Sequence, residues 1–257
     1  MTGMAETPRL PPIPKRLRRE PLIEVMWQAV VEQLPVPGDF LAGILYAELC
    51  KRGGSWQSQR LPTADIPAAV AEQNPHLRYA AKYRIEVPGE PILYQVGDRI
   101  VSVHCLRPYV GWSAFREKIL EVQKALAQSG SIPGPVRHLL RYLDFLPQKE
   151  MPGLSGLQVQ LAVGEQVIRD EPLELRVELT YQGYLHTLRV VTQARVRLAE
   201  GTDKQEGTVV DLETRAAGSP DWSGLAEQLE GMHQASKALF FQQLFQPEII
   251  ARWEPEY

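Results

Sequence analysis

The stretch Trp112-Ser113-Ala114-Phe115, answered 110 residues later by Trp222-Ser223-Gly224-Leu225, decides the fold. From the first, Trp112, Phe115, Ile119, Val122 and Leu126 step by three and four. That is one face of an α-helix, and Arg116, Glu117, Glu121 and Lys124 occupy the opposite face. From the second, Trp222, Leu225, Leu229 and Met232 step the same way. The pattern then thickens into Leu239-Phe240-Phe241 and Leu244-Phe245 before Pro247 stops it. An alternating, strand-like run precedes each helix. The pair predicts two copies of one α+β unit that share a core.

Working outward, Leu22, Ile23, Val25, Trp27, Ala29 and Val31 put apolar residues mostly on odd positions and predict a first strand. Leu34-Pro35-Val36-Pro37-Gly38-Asp39 predicts a turn, with Asp39 capping a helix from Phe40 to about Arg52. Gly53-Gly54 ends that helix, and the polar, proline-interrupted residues 55–77 predict a loop. Residues 79–87, 92–96 and 99–107 predict three strands, with Gly97-Asp98 as a type II′ hairpin turn. Beyond the first Trp-led helix, strands are expected at 136–146, 157–168, 173–181 and 188–198, with a shorter one at 209–215. Ser219-Pro220 predicts the cap and first residue of the last helix. Strands apolar on one side only need cover, and the two amphipathic helices supply it. The expected architecture is a curved antiparallel sheet from two halves, 21–132 and 133–257, with both Trp-led helices on one face. Its order is TATA-binding-protein-like, a topological analogy that does not fix function.

At 257 residues the chain can bury a sizeable core, and 44% hydrophobic with 23% charged residues is ordinary for a globular protein. No apolar run approaches the roughly 18 residues of a membrane span. The first 20 residues, rich in proline and arginine, lack a leader's apolar stretch. These features predict a soluble, cytoplasmic protein without membrane contact. Cys50 and Cys105 read as buried free thiols, since neither Cys-x-x-Cys nor His-Glu-x-x-His occurs. No two histidines stand four apart, so no local metal site is expected. Walker-type, Gly-x-Ser-x-Gly and Gly-x-Gly-x-x-Gly loops are missing too, so neither a cofactor nor P-loop hydrolysis is expected. The net charge of −3 is uneven: residues 1–20 hold five basic against two acidic side chains, leaving −6 on the rest. That predicts a flexible, basic, Pro-rich arm on an acidic body. Lys15, Arg16, Arg18 and Arg19 are the candidates for nucleic-acid contact.

The densest chemical cluster is His104-Cys105-Leu106-Arg107-Pro108-Tyr109-Val110-Gly111-Trp112, where a strand hands over to a helix. Arg107 there suits an anion, and Tyr109 and Trp112 suit stacking on a ring. The plainer alternative is that Pro108 and Gly111 shape the turn and Trp112 starts the core. Arg141 and Tyr142 follow on the next strand, on opposite faces, so at most one of them reaches any one site. Binding candidates are therefore His104, Arg107, Tyr109, Trp112, Arg141 and Tyr142, with no catalytic residue assigned.

Four features together resemble a sporadically distributed prokaryotic family of uncharacterised proteins of similar length. They are Pro21-Leu22-Ile23-Glu24-Val25, the central Arg107-Pro108-Tyr109-Val110-Gly111-Trp112-Ser113-Ala114-Phe115, the strand motif Leu140-Arg141-Tyr142, and a histidine in the last helix, His233. The resemblance covers about residues 20–247 and departs at Asp144-Phe145, where the family often shows Asn-Arg. It implies a mobile-element or defence-associated setting and no catalytic residue.

Three function classes follow. The leading expectation is a non-catalytic binding or scaffold protein that holds a protein partner on its exposed sheet face, through Arg189, Arg195, Arg197, Glu174 and Glu178. A homodimer is compatible with that reading. The second is a metal-independent hydrolase or RNA-cleaving enzyme, which requires His104, Arg107, Tyr109 and Arg141 to converge. The third is a small-molecule sensor with a cavity between sheet and helices.

Overall fold

The computed structural model describes residues 10–31, 38–74, 77–130, 132–198, 203–218 and 221–257. Strands β1 (Arg16–Leu17) and β2 (Leu22–Val30) lead to α1 (Gly38–Cys50). Then come β3 (Gln57–Arg60), a 3₁₀ turn (Pro62–Asp65) and α2 (Ala68–Gln73). The meander β4 (Ala81–Glu86), β5 (Ile92–Gly97), β6 (Ile100–Leu106) precedes α3 (Trp112–Gln128). After it come β7 (Arg137–Pro147), the small hairpin β8 (Leu161–Val163) and β9 (Gln166–Ile168), and a second meander, β10 (Glu174–Tyr181), β11 (Tyr184–Val196), β12 (Gln205–Ala217). The chain ends in α4 (Leu225–Leu239), a π-helical turn (Phe240–Leu244), α5 (Pro247–Arg252) and β13 (Pro255–Glu256).

Among the described residues, nine strands form one antiparallel sheet in the order β10-β11-β12-β7-β2-β6-β5-β4-β3. The strands β2 and β7 lie side by side at its middle. Outward from β2 run β6, β5 and β4; outward from β7 run β12, β11 and β10. Alternation sets the two faces. Val25, Trp27 and Ala29 of β2 and Leu140 of β7 are fully buried under the helices. Phe115, Ile119, Val122 and Leu126 of α3 pack on them, with Leu225, Leu229 and Met232 of α4 and Leu41, Leu45 and Leu49 of α1. Each such side chain contributes about 1.5–3 kcal/mol by leaving water. One polar thread crosses this layer. Trp27 Nε1 donates to His138 Nδ1 at 3.2 Å, and His138 Nε2 lies 2.8 Å from Gln228 Oε1. The indole donor fixes Nδ1 as the acceptor, so Nε2 carries the proton and donates onward to α4.

A second cluster gathers Leu146, Leu188, Val190, Val210 and Leu212 of the sheet under Phe240, Phe241, Leu244, Phe245, Ile249, Ile250 and Trp253. Leu17 of β1 joins it, because β1 pairs with β13 in a separate two-stranded ribbon. Residues 10–20, part of the expected flexible arm, are therefore docked. Pro14 is buried, Lys15 Nζ donates to the Tyr257 carbonyl at 3.2 Å, and Arg18 pairs with Glu256 at 2.7 Å.

Several local expectations are corrected. Residues 55–77 contain β3, the 3₁₀ turn and α2, because polar edge strands carry no alternation to read. Gly97 ends β5 without a positive φ, so the type II′ turn is absent; a Cβ there would collide with the Ala80 carbonyl across the ladder. Residues 157–168 give the β8–β9 hairpin, not one strand. Strand β12 runs 13 residues, longer than expected. Trp222 precedes α4 with φ 64, so that helix is not Trp-led, although the side chain is buried in the core. Cys50 is exposed; only Cys105 is buried. Asp39 lies inside the first turn of α1, while most of the turn expected at 34–39, and Ser219-Pro220, fall outside the described residues. Among the described residues no helix is long and apolar enough to cross a membrane.

Candidate functional site

Where the two apolar clusters meet, a cavity of about 400 Å³ opens under the N-terminal segment. Three layers enclose it. The segment carrying Lys15, Arg16, Leu17 and Glu20 roofs it; the loop Tyr109–Trp112 forms one wall; β7, β12 and α4 supply the floor through Tyr142, Asp144, Leu212, His233 and Lys237. Phe240 and Phe241 of the π-helical turn close the far end.

Local sequence explains each placement. The Arg107–Pro108 peptide is cis, and Gly111 caps α3 with φ 86, a backbone state that side-chain-bearing residues rarely adopt. Trp112, first residue of α3, lies flat on the His233 ring, with centroids 4.1 Å apart and planes 9° from parallel. Its Nε1 donates to Glu230 Oε2 at 2.8 Å, one helical turn before His233. Tyr142 Oη lies 2.7 Å from His233 Nδ1. Burial pushes the His233 imidazole down to about 3, with Lys237 adding to the effect, so the ring is neutral and shares one hydrogen bond between Nδ1 and the Tyr142 hydroxyl. Glu230 is held below the usual carboxylate range by the Trp112 hydrogen bond.

Asp144 stands two residues after Tyr142 and so shares its face of β7. It is 2% exposed, and its Oδ2 has no hydrogen-bond partner among the described residues. Burial raises it to about 8, against the opposing pull of Arg107. Arg107 acts on it through its charge, while its Nε and Nη2 hydrogens go to backbone carbonyls. Nε donates to Leu22 O at 2.7 Å, and Nη2 donates to Pro21 O at 3.0 Å and Glu20 O at 3.4 Å. The Tyr109 hydroxyl is likewise buried without a partner. Burial lowers the Lys237 ammonium and raises the Glu20 carboxyl.

The sequence candidates therefore divide. Tyr109, Trp112 and Tyr142 converge on the cavity, and Arg107 fastens the segment that roofs it. His104 and Arg141 lie on the opposite face of the sheet. Arg141 there makes a two-point pair with Asp211, at 2.7 and 2.6 Å. His104 sits between Ser102 Oγ, 2.9 Å from Nε2, and Glu24 Oε1, 2.6 Å from Nδ1. That is the serine–histidine–carboxylate order of acyl-transfer enzymes. Ser102, however, is 1% exposed, and β6 is laddered to β2 and β5 on both sides, so its N–H groups are not free to cradle an oxyanion. The outer face is also self-compensated: Arg189 pairs with Glu174 and Arg176 with Glu178, each at 2.8 Å. A bulge between Val191 and Ala194 shifts the register, so Arg195 and Arg197 do not continue the row of Arg189.

Lys237 and Glu20 were missed by sequence reasoning, and Asp144 was read only as a departure from the family pattern, not as a binding residue. The signal for Asp144 was available: an acid two residues from Tyr142, on the apolar face of its strand. No group of residues able to hold a metal ion occurs among the described residues. No family model matches the chain, and no curated protein matches it either.

Proposed function

We propose that this chain is a non-catalytic binding protein whose ligand is a small molecule held in the cavity between the N-terminal segment, the Tyr109–Trp112 loop and α4. One observation carries this reading: two buried, unpartnered polar atoms, Asp144 Oδ2 and Tyr109 Oη, belong to residues lining the same cavity. Buried polar groups are nearly always paired, and an orphan costs roughly 1–3 kcal/mol. A ligand toward which the two side chains turn, and which meets both, removes that penalty. The volume of about 400 Å³ lies in the usual range for ligand pockets, and mostly apolar walls with a few polar groups are their usual chemistry. The hydrolase reading has less support, because His104, Arg107, Tyr109 and Arg141 point into separate environments. The test is mass spectrometry of small molecules released on denaturing the chain purified from its own cells. Wild type should release one species near equimolar amount. Val110→Trp, at an exposed residue of the cavity wall, should release much less. Equal, trace release from both would refute the reading.

The protein-scaffold reading keeps one supporting observation: among the described residues β10 is an edge strand, and it carries Val177, 38% exposed. A partner adding a strand there would be lost on Val177→Lys, with cavity binding unchanged.

Three further readings accompany the proposal. The order outward from β2 and from β7 supports two copies of one unit, with the β8–β9 hairpin where the other copy has α1, and so keeps the TATA-binding-protein-like analogy as one of topology. Kinship with the sporadically distributed family rests on the four sequence features, of which the Arg107–Phe115 motif is the most specific. Two free thiols, Cys50 exposed and Cys105 buried, fit a reducing, cytoplasmic compartment.

A further inference from the structure

The groups around the cavity are unequal in charge. Lys15, Arg16 and Lys237 line it against Glu20 and Asp144. Asp144 is buried, and Arg107, the cation acting on it, gives its Nε and Nη2 hydrogens to three backbone carbonyls, with no salt bridge to Asp144 among the described residues. A buried carboxyl without a close counter-ion keeps its proton. It therefore offers an O–H, and the Tyr109 hydroxyl offers a second. Lys237 has no salt-bridge partner among the described residues, Glu230 acting on it only at longer range. Trp112, Phe240, Phe241 and Leu212 supply apolar walls. Two hydroxyl donors, a lysine and aromatic walls complement an acceptor oxygen on an apolar body. A cationic ligand would meet the three cations instead.

Resting on the binding reading above, we infer that the cavity takes a small apolar molecule ending in an acidic oxygen group, a carboxylate or phenolate. Its oxygens meet Tyr109 Oη and Asp144, and its charge faces Lys237. Affinity then depends on pH through Asp144. The charges acting on it are Arg107 from the loop after β6, Glu20 from the N-terminal segment and Asp211 on β12; Tyr109, Tyr142, His233, Lys237, Lys15 and Arg16 line the same cavity. His233 stays neutral above about 3, and Tyr109 and Tyr142 are raised far above neutrality, so none of these three changes charge near pH 8. With Asp144 titrating at about 8, binding of an acid weakens about tenfold between roughly pH 6.5 and pH 9. Lys237, lowered by burial, pushes in the same direction, and Asp144→Asn separates the two.

The experiment is calorimetric titration of the full chain with shape-matched acids and amines: benzoate, phenylacetate and octanoate against benzylamine, phenethylamine and octylamine. The acids should bind and the amines should not. Tyr109→Phe should weaken the acids about fivefold, and Lys237→Met more. Asp144→Asn, which keeps a donor, should retain binding and flatten most of the pH dependence. The wild-type comparison of acids with amines stands on its own if a variant fails to fold. Amines binding in place of acids, and tightening as pH rises, would overturn the assigned class and make the site a cation site. Failure of both panels while the purified chain releases a molecule of other chemistry would also overturn the class and leave the binding reading intact. Failure of both panels with nothing released would sink the binding reading itself.

Discussion

Asp144 and His233 face one cavity and titrate in opposite senses. Asp144 holds its proton to about 8 in the folded chain, whereas an unfolded chain releases it near 3.8. Its stabilising share is complete below about 3.8 and is lost as pH rises to about 8. His233 is pushed down to about 3 from 6.5, so its share is complete above 6.5 and is lost as pH falls toward 3. Between about pH 4 and 6.5 the slopes oppose each other. Above 6.5 the Asp144 slope persists without that of His233, partly offset by Lys237, whose burial-lowered ammonium adds stability as pH rises; below 4 the Asp144 slope is spent and that of His233 persists. Urea denaturation across pH should show this: Asp144→Asn abolishes the decline above pH 6.5, while acid sensitivity persists. His138 and His186, both lowered by burial, share the acid side. An alkaline decline that survives Asp144→Asn would show that the carboxyl is not the source. Alternation alone places Tyr142 and Asp144 on one face of a strand. The cavity above them was not legible, since its roof comes from residues 14–22, far away in sequence and without a pattern of their own.

The elements were legible wherever one face is apolar. Strand β2, the β4–β5–β6 meander and α3 lie close to where periodicity puts them, because burial on one side imposes the pattern. The short edge strand β3 and the β8–β9 hairpin escaped, since neither has a buried face. The start of α4 was misplaced because Trp222, though buried, reaches the core from a left-handed turn and not from the helix. Two predictions belong to this scale. Gly97→Ala should destabilise the chain by about 1–3 kcal/mol in chemical denaturation, because its Cβ meets the backbone carbonyl of Ala80, which cannot swing away. An unchanged midpoint would contradict the close approach. Trp27→Phe removes the donor to buried His138 Nδ1 and should cost about 3 kcal/mol, combining lost ring volume with an orphaned acceptor. Adding Gln228→Leu to it should be less than additive, since both residues lie on one hydrogen-bonded thread.

For the whole molecule, the two chain ends act together. The ribbon β1–β13 ties residues 16–17, which line the cavity, to residues 255–256, and Leu17 is 9% exposed. Deleting residues 1–20 should lower stability by about 2–4 kcal/mol through lost burial of Leu17 and Pro14. It should also empty the cavity of ligand. Loss of nucleic-acid binding without loss of stability would instead return the segment to the role its charge suggests. Composition could not show the docking: the same basic residues that read as a free arm pair with Glu254 and Glu256 at the other end of the chain, Arg19 at 3.6 Å and Arg18 at 2.7 Å.

The most direct test of the central claim is a crystal structure of the chain purified from its own cells. Electron density for a non-protein molecule within hydrogen-bonding distance of Tyr109 Oη and Asp144 is the predicted result. A cavity collapsed on its own side chains, with Asp144 bonded to Arg107 and the Tyr109 hydroxyl to a protein acceptor, would contradict it.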